Sequence, residues 1–128
     1  MVFRRFRSAA QAAARAADDK IATDVLVFDV HRTSSVADYY VLVSVESSTH
    51  LTAVVDAVSR RLREDFQLHA IHQDGRHSDQ WAVLDYGGLM VHILRREARE
   101  FYALERLWEG AKRMSWEEKP APRRKPKQ

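Results

Sequence analysis

The stretch QWAVLDYGGLMVHIL, residues 80–94, limits the fold of this chain more tightly than any other part of it. Two apolar-rich runs of strand length flank Gly87-Gly88, and glycine tolerates the positive φ that a tight two-residue turn demands. With that turn, Tyr86 stands opposite Leu89, Leu84 opposite Val91 and Ala82 opposite Ile93, forming an almost wholly apolar face. The other face sets Trp81, Val83 and Asp85 against Leu94, His92 and Met90 and is mixed. Such a face is either the second side of a helix-covered sheet or a patch that meets a partner. Trp81 therefore has two readings, a half-core aromatic and an interface anchor.

The remaining elements supply the rest of such a sheet. DVLVFDV, residues 24–30, and ADYYVLVSV, residues 37–45, are rich in β-branched and aromatic residues and predict two strands apolar on both faces. Ser47, Ser48 and Thr49 are helix-start residues, and Leu51, Val54, Val55, Val58, Leu62 and Phe66 behind them make one helical stripe. A short strand is expected near Leu68–His72, followed by a turn through Gln73-Asp74-Gly75. The alanine-rich start predicts a first helix over roughly residues 8–22, although its four arginines without an acid before Asp18 also resemble an organellar presequence. A last helix over 96–110 carries Phe101, Leu104, Leu107 and Trp108 on one stripe and ends at Gly110.

At 128 residues the chain suits one core, so the expectation is a single α/β (α+β) domain over residues 8–110, with about five strands and flanking helices. Beyond Gly110 comes a basic tail, residues 111–128, which holds all three prolines and is expected to be partly or wholly flexible, most clearly from residue 115 onward.

Charge and chemistry narrow the function. Residues 1–20 carry five Lys/Arg and two Asp/Glu, residues 111–128 seven and two, and residues 21–110 nine and fourteen, so an acidic body lies between basic ends. An acidic body suits a basic protein surface better than it suits nucleic acid. The absence of cysteine excludes disulfides and thiolate metal sites. Charged residues interrupt every apolar run before the ~20 residues of a membrane-spanning helix. His69, His72 and His77 do not share a strand face, so no metal site is expected. Phosphate-loop, GxGxxG and nucleophile-elbow motifs are missing. Asp29, Asp38 and Glu46 near strand ends offer the strongest enzymatic alternative, a two-metal phosphoryl-transfer site, but each has a ready use in terminating a strand. No catalytic residue, metal or cofactor is expected.

Taken together, ADYYVLVS (37–44), WAVLDYGGLMVHIL (81–94) and REFYALERLW (99–108) resemble the ribosomal silencing factor RsfS family, the Iojap-like proteins. The resemblance implies a mixed β-sheet similar to that of nucleotidyltransferases, without catalysis. It also implies binding to the large ribosomal subunit through its protein number fourteen, blocking small-subunit joining when nutrients are scarce. A homodimer in the free protein and a bacterial cytoplasmic or organellar setting would follow. Matched to the family motifs, Trp81, Asp85, Tyr86 and Met90 fall at the ribosomal-protein site. Asp38, Tyr39, Arg99 and Tyr102 would extend the interface, with Glu105 and Trp108 in the same helix pattern. The chain departs from the family at Val45, where glycine is usual, at Thr49-His50, and at Gly88, where an aspartate often stands. A small metal-dependent enzyme and an RNA-binding module using the basic ends are the competing functions.

Overall fold

A computed structural model describes residues 2–32, 37–74, 80–102, 106 and 110–117, without the side chains of 2–4, 101 and 102. The chain runs α1 (Val2–Asp19), β1 (Thr23–Asp29), β2 (Tyr39–Val45), α2 (Ser48–Phe66), β3 (His72–Asp74), β4 (Trp81–Asp85), β5 (Leu89–Arg95), α3 (Arg96–Tyr102) and β6 (Lys112–Met114). One six-stranded sheet has the order β3-β4-β5-β2-β1-β6. It is mixed, because β2 and β5 pair in parallel while the other neighbours are antiparallel.

The β4–β5 hairpin has the register that the glycine pair implies: Trp81 faces Leu94, Ala82 Ile93, Val83 His92, Leu84 Val91 and Asp85 Met90. The two glycines serve different ends. Gly87 has φ +90, which L side chains rarely adopt. Gly88 has no such angle, but a Cβ there would lie 2.3 Å from the ring of Phe6, which α1 lays over the turn. An aspartate at this position would displace that ring.

Alternation puts Tyr39, Val41, Val43, Val45, Leu84, Tyr86, Leu89, Val91 and Ile93 into the main core beneath α1 and α2. Helix α2 delivers Leu51, Val54, Val55, Val58 and Leu62 to it. Ser47 caps α2, its hydroxyl accepting from the His50 amide at 3.0 Å. The His50 ring then cross-links the region: Nδ1 accepts from the Glu46 amide at 3.0 Å and Nε2 reaches the Lys20 carbonyl at 2.6 Å. Helix α1 is almost entirely alanine where it is buried, with Ala9, Ala10, Ala13, Ala14 and Ala17 fully enclosed.

Three sequence expectations are corrected: the bounds of α1, the place of the short strand and the extent of the tail. Helix α1 begins and ends earlier than 8–22: Phe6 over Gly88 and Arg5 donating to the Phe66 carbonyl anchor its start, while Ile21, at φ 68, ends it in a left-handed turn. The short strand is His72–Asp74, not Leu68–His72, so Gln73 and Asp74 pair with β4 instead of turning. The sheet has a sixth strand. That strand, β6, lies in the expected tail and pairs with β1, opposing Met114 to Val27. Three bonds fasten the segment behind it: Trp116 Nε1 donates to the Val25 carbonyl (3.1 Å), Arg15 to the Trp116 carbonyl (3.1 Å) and Gln11 to the Ser115 carbonyl (2.9 Å). The domain therefore does not stop at residue 110. Leu104, Leu107 and Trp108 of the expected last helix, and residues 118–128, lie outside the described residues.

Because Trp116 packs against the main core, Trp116→Ala should cost about 2–4 kcal/mol, a partly buried version of the usual loss for a large aromatic. Urea denaturation checks this. A change within ~0.5 kcal/mol would return residues 115–117 to a loose tail.

Candidate functional site: the open face of the hairpin

The second sheet face is built in rows. One row runs Phe28, Tyr40, Met90, Asp85, His72 across β1, β2, β5, β4 and β3, and the next runs Leu26, Leu42, His92, Val83, Asp74. Leu42 and Leu94 are covered where Ala98 of α3 packs, with Trp81 against their edge. Toward β3 the cover thins: Trp81, Val83, Asp85 and Met90 are half-buried, and His72 and Asp74 are exposed. The result is an apolar strip whose outer margin carries two carboxylates, Asp74 and Asp85.

His92 lies at the centre of this face, 9% exposed, with its ring 5.9 Å from that of Tyr40 and 6.1 Å from that of Trp81. The Trp81 indole Nε1–H donates to His92 Nδ1 at 3.3 Å. This bond requires an unprotonated Nδ1, so the imidazole is neutral, and burial lowers its pKa to about 4. The hydrophobic strip thus contains an uncharged histidine that orients the large aromatic beside it.

Asp85 has a structural duty as well: its Oδ1 accepts from the Gly87 amide at 2.8 Å and closes the turn. The tip is fastened further by the Gly88 carbonyl, which accepts from the amides of both Asp38 (3.0 Å) and Tyr39 (3.1 Å). Next to the tip lies Ile71, 75% exposed, whose amide donates to the Asp85 carbonyl at 2.7 Å.

The structure thus divides the residues singled out in the sequence. Trp81, Asp85 and Met90 share the open face, and half-buried Asp38 borders the tip. Tyr86 and Tyr39 point into the main core, 4% and 0% exposed, because each lies one strand position out of phase with the open face. Arg99 is 5% exposed and pins α3 to the sheet, donating to the Asp24 carbonyl (2.6 Å) and Ser44 Oγ (2.9 Å). The Tyr102 side chain, Glu105 and Trp108 are outside the described residues. Ile71, Asp74, Tyr40 and His92 also border this face, beyond the residues the family motifs mark. His92 and Tyr40 are legible from alternation once the strands are aligned, whereas Ile71 and Asp74 depend on the true position of β3.

Of the three carboxylates of the enzymatic alternative, Asp29 and Asp38 lie at the same end of the paired strands β1 and β2, but Glu46 does not join them. Asp38 and Glu46 flank opposite ends of β2, roughly 25 Å apart along the strand. Asp29 bonds to His31 at 2.5 Å and Glu46 pairs with Arg96 at 2.8 Å. Among the described residues no group of three His, Cys, Asp or Glu side chains is placed to hold a metal, and no helix is long and apolar enough to cross a membrane.

Fold and face together define a small α+β domain with one sheet surface closed by helices and the other partly open. The family model for the ribosomal silencing factor during starvation, RsfS, matches residues 4–128. The RsfS of Treponema pallidum is 39% identical over 105 residues, covering 79% of this chain and 90% of that protein. The RsfS of Bacillus subtilis is 32% identical over 108 residues, covering 82% and 88%. A crystal structure of a Chromobacterium violaceum protein superposes with a TM-score of 0.77 at 22% identity over 91% of this chain and 96% of the other, a likeness of fold. The chain belongs to the RsfS family.

The neutral buried histidine makes stability pH-dependent. With its pKa near 4 in the folded protein and the ordinary 6.5 in the unfolded chain, the unfolded state takes up the proton first as pH falls. The contribution is complete above pH 6.5 and is lost progressively toward pH 4, by roughly 3 kcal/mol. Comparing urea stability of the wild type and His92→Gln across this range isolates the slope. Parallel profiles would show a solvated imidazole.

Proposed function

We propose that this chain is a ribosomal silencing factor that binds the large subunit at its protein number fourteen and blocks small-subunit joining by its bulk. The observation that carries the reading is the half-buried Trp81–Met90 strip with Asp85 and Asp74 on its margin. Such a strip offers an aromatic anchor and a negative rim to a basic protein. Asp38 and exposed Ile71 extend the contact around the tip. Tyr86, Tyr39 and Arg99 act from beneath by holding the strands that display it. A standard interface takes ~800 Å² from each partner, about a tenth of the 7396 Å² surface here, so the domain can spend one patch on binding and still project into the space of another subunit.

Family membership and the distance of Glu46 from the neighbouring Asp29 and Asp38 both favour a role without catalysis or cofactor. Exposed Lys112 and Arg113 on the edge strand supply a basic margin for peripheral rRNA contact. In this reading the free protein is a homodimer and works in the bacterial cytoplasm.

The test is sedimentation with separated ribosomal subunits, read beside thermal stability. The wild type should travel with the large subunit alone. Trp81→Ala should weaken binding by ~2 kcal/mol or more. Asp85→Asn keeps an acceptor for the turn and should weaken binding more at low salt than at high salt. Leu84→Ala, on the opposite face, should instead lower stability by ~2–5 kcal/mol. Unchanged large-subunit binding by a folded Trp81→Ala, Asp85→Asn double variant would remove the hairpin from the interface. Magnesium-dependent nucleotide turnover abolished at Asp29, Asp38 or Glu46 would favour the enzymatic alternative.

A further inference from the structure

On the helix-covered side of the sheet, well away from the open face, α2 overhangs the β3–β4 margin and leaves a cleft of about 380 Å³. One wall is a single face of α2, where Ser59, Arg60 and Arg63 follow one another at helical spacing. The opposite wall is the segment from Leu68 to Ala70, with the exposed His69 ring between them. The Tyr86 phenol contributes to the lining from the core side, beside Ser59 and Arg63.

The arginines of α2 are not used alike. Arg61 is paired with Asp19 at 3.3 Å and with Asp65 at 3.8 Å. Among the described residues neither Arg60 nor Arg63 is in an ion pair, although both line the cleft. Two guanidinium groups less than one helical turn apart supply a fork of donors suited to phosphate oxygens, and the Ser59 hydroxyl and His69 ring add polar contacts. The volume lies within the range of small-molecule sites and exceeds what a bare phosphate fills. Leu68 and Ala70 offer an apolar wall for the remainder of a ligand.

We propose that the cleft between α2 and residues 68–70 binds a small phosphate ester, a sugar phosphate or mononucleotide, through Arg60 and Arg63. The short extent of the cleft, bounded by one face of α2 and three residues of the facing segment, favours a free ester over the phosphate backbone of RNA, which tracks long open grooves.

The full chain is titrated with inorganic phosphate, glucose 6-phosphate, AMP and a short single-stranded oligoribonucleotide, using calorimetry and amide NMR shifts. The proposal expects saturable binding of glucose 6-phosphate or AMP with a dissociation constant below about 1 mM, with shifts centred on residues 59–63 and 68–70. Arg60→Gln with Arg63→Gln should weaken it at least ~10-fold, while Arg61→Gln leaves it unchanged. Both cleft arginines are exposed, so the double variant should melt like the wild type. Absence of saturation by either ester at about 1 mM overturns the site, as does binding that survives the double variant. Tighter binding of the oligoribonucleotide than of either ester, through the same two arginines, overturns the small-molecule assignment in favour of RNA. Trp81 and the open face take no part in this cleft, so the result is independent of the ribosome-binding test.

Discussion

The parallel pairing of β2 with β5 is the constraint on which the rest of this molecule depends. It joins the hairpin half of the sheet to the β1–β6 half, and all seven residues of β2 are buried. A parallel junction needs a crossover, and α2 with the β3–β4 segment provides it. The crossover helix can cover only one face. The other depends on α3, whose Arg99 reaches down to Ser44 and Asp24, and its cover thins toward β3. The partly open face is thus a result of topology as much as of the residues on it.

Alanine sets how closely the layers approach. Helix α1 presents methyl groups almost exclusively to the sheet and to α2, so its backbone lies near both, and small changes in its position are transmitted directly. Phe6 is the exception, placed where Gly88 leaves room. That single contact ties α1 to the tip of the hairpin, and it gives the glycine at position 88 a steric reason that involves no turn requirement.

What could be read from the residues followed from period and punctuation. The Gly87-Gly88 hairpin, its register, the capped α2 stripe, the buried β2 and its partner β1 all announce themselves within ten or twenty residues. Features held by distant partners do not. KRM has neither alternation nor β-branching to advertise a strand, and becomes one because β1 offers it an unpaired edge. Gln73-Asp74 looks like a turn because it is polar and precedes a glycine, yet in a margin strand it needs no core face. At the candidate site, phase within the strand separates Trp81, Asp85 and Met90 from Tyr86, while a motif match alone groups them. The structural duty of Arg99 depends on the Asp24 carbonyl, 75 residues away in sequence, and no local pattern carries that information.

The pairing of β6 with β1 has a consequence for the order of folding. Gln11 and Arg15 are bonded to carbonyls 104 and 101 residues further along, and β1 keeps its outer edge unpaired until Lys112–Met114 arrive. During synthesis the other five described strands are made first, so the growing chain carries an exposed template edge and an incompletely covered alanine helix. Completion of the domain is therefore a late, nonlocal event of high contact order. Until residues 112–116 have left the ribosome the sheet lacks its outer strand, which sets a minimum delay between the synthesis of the first helix and its final covering.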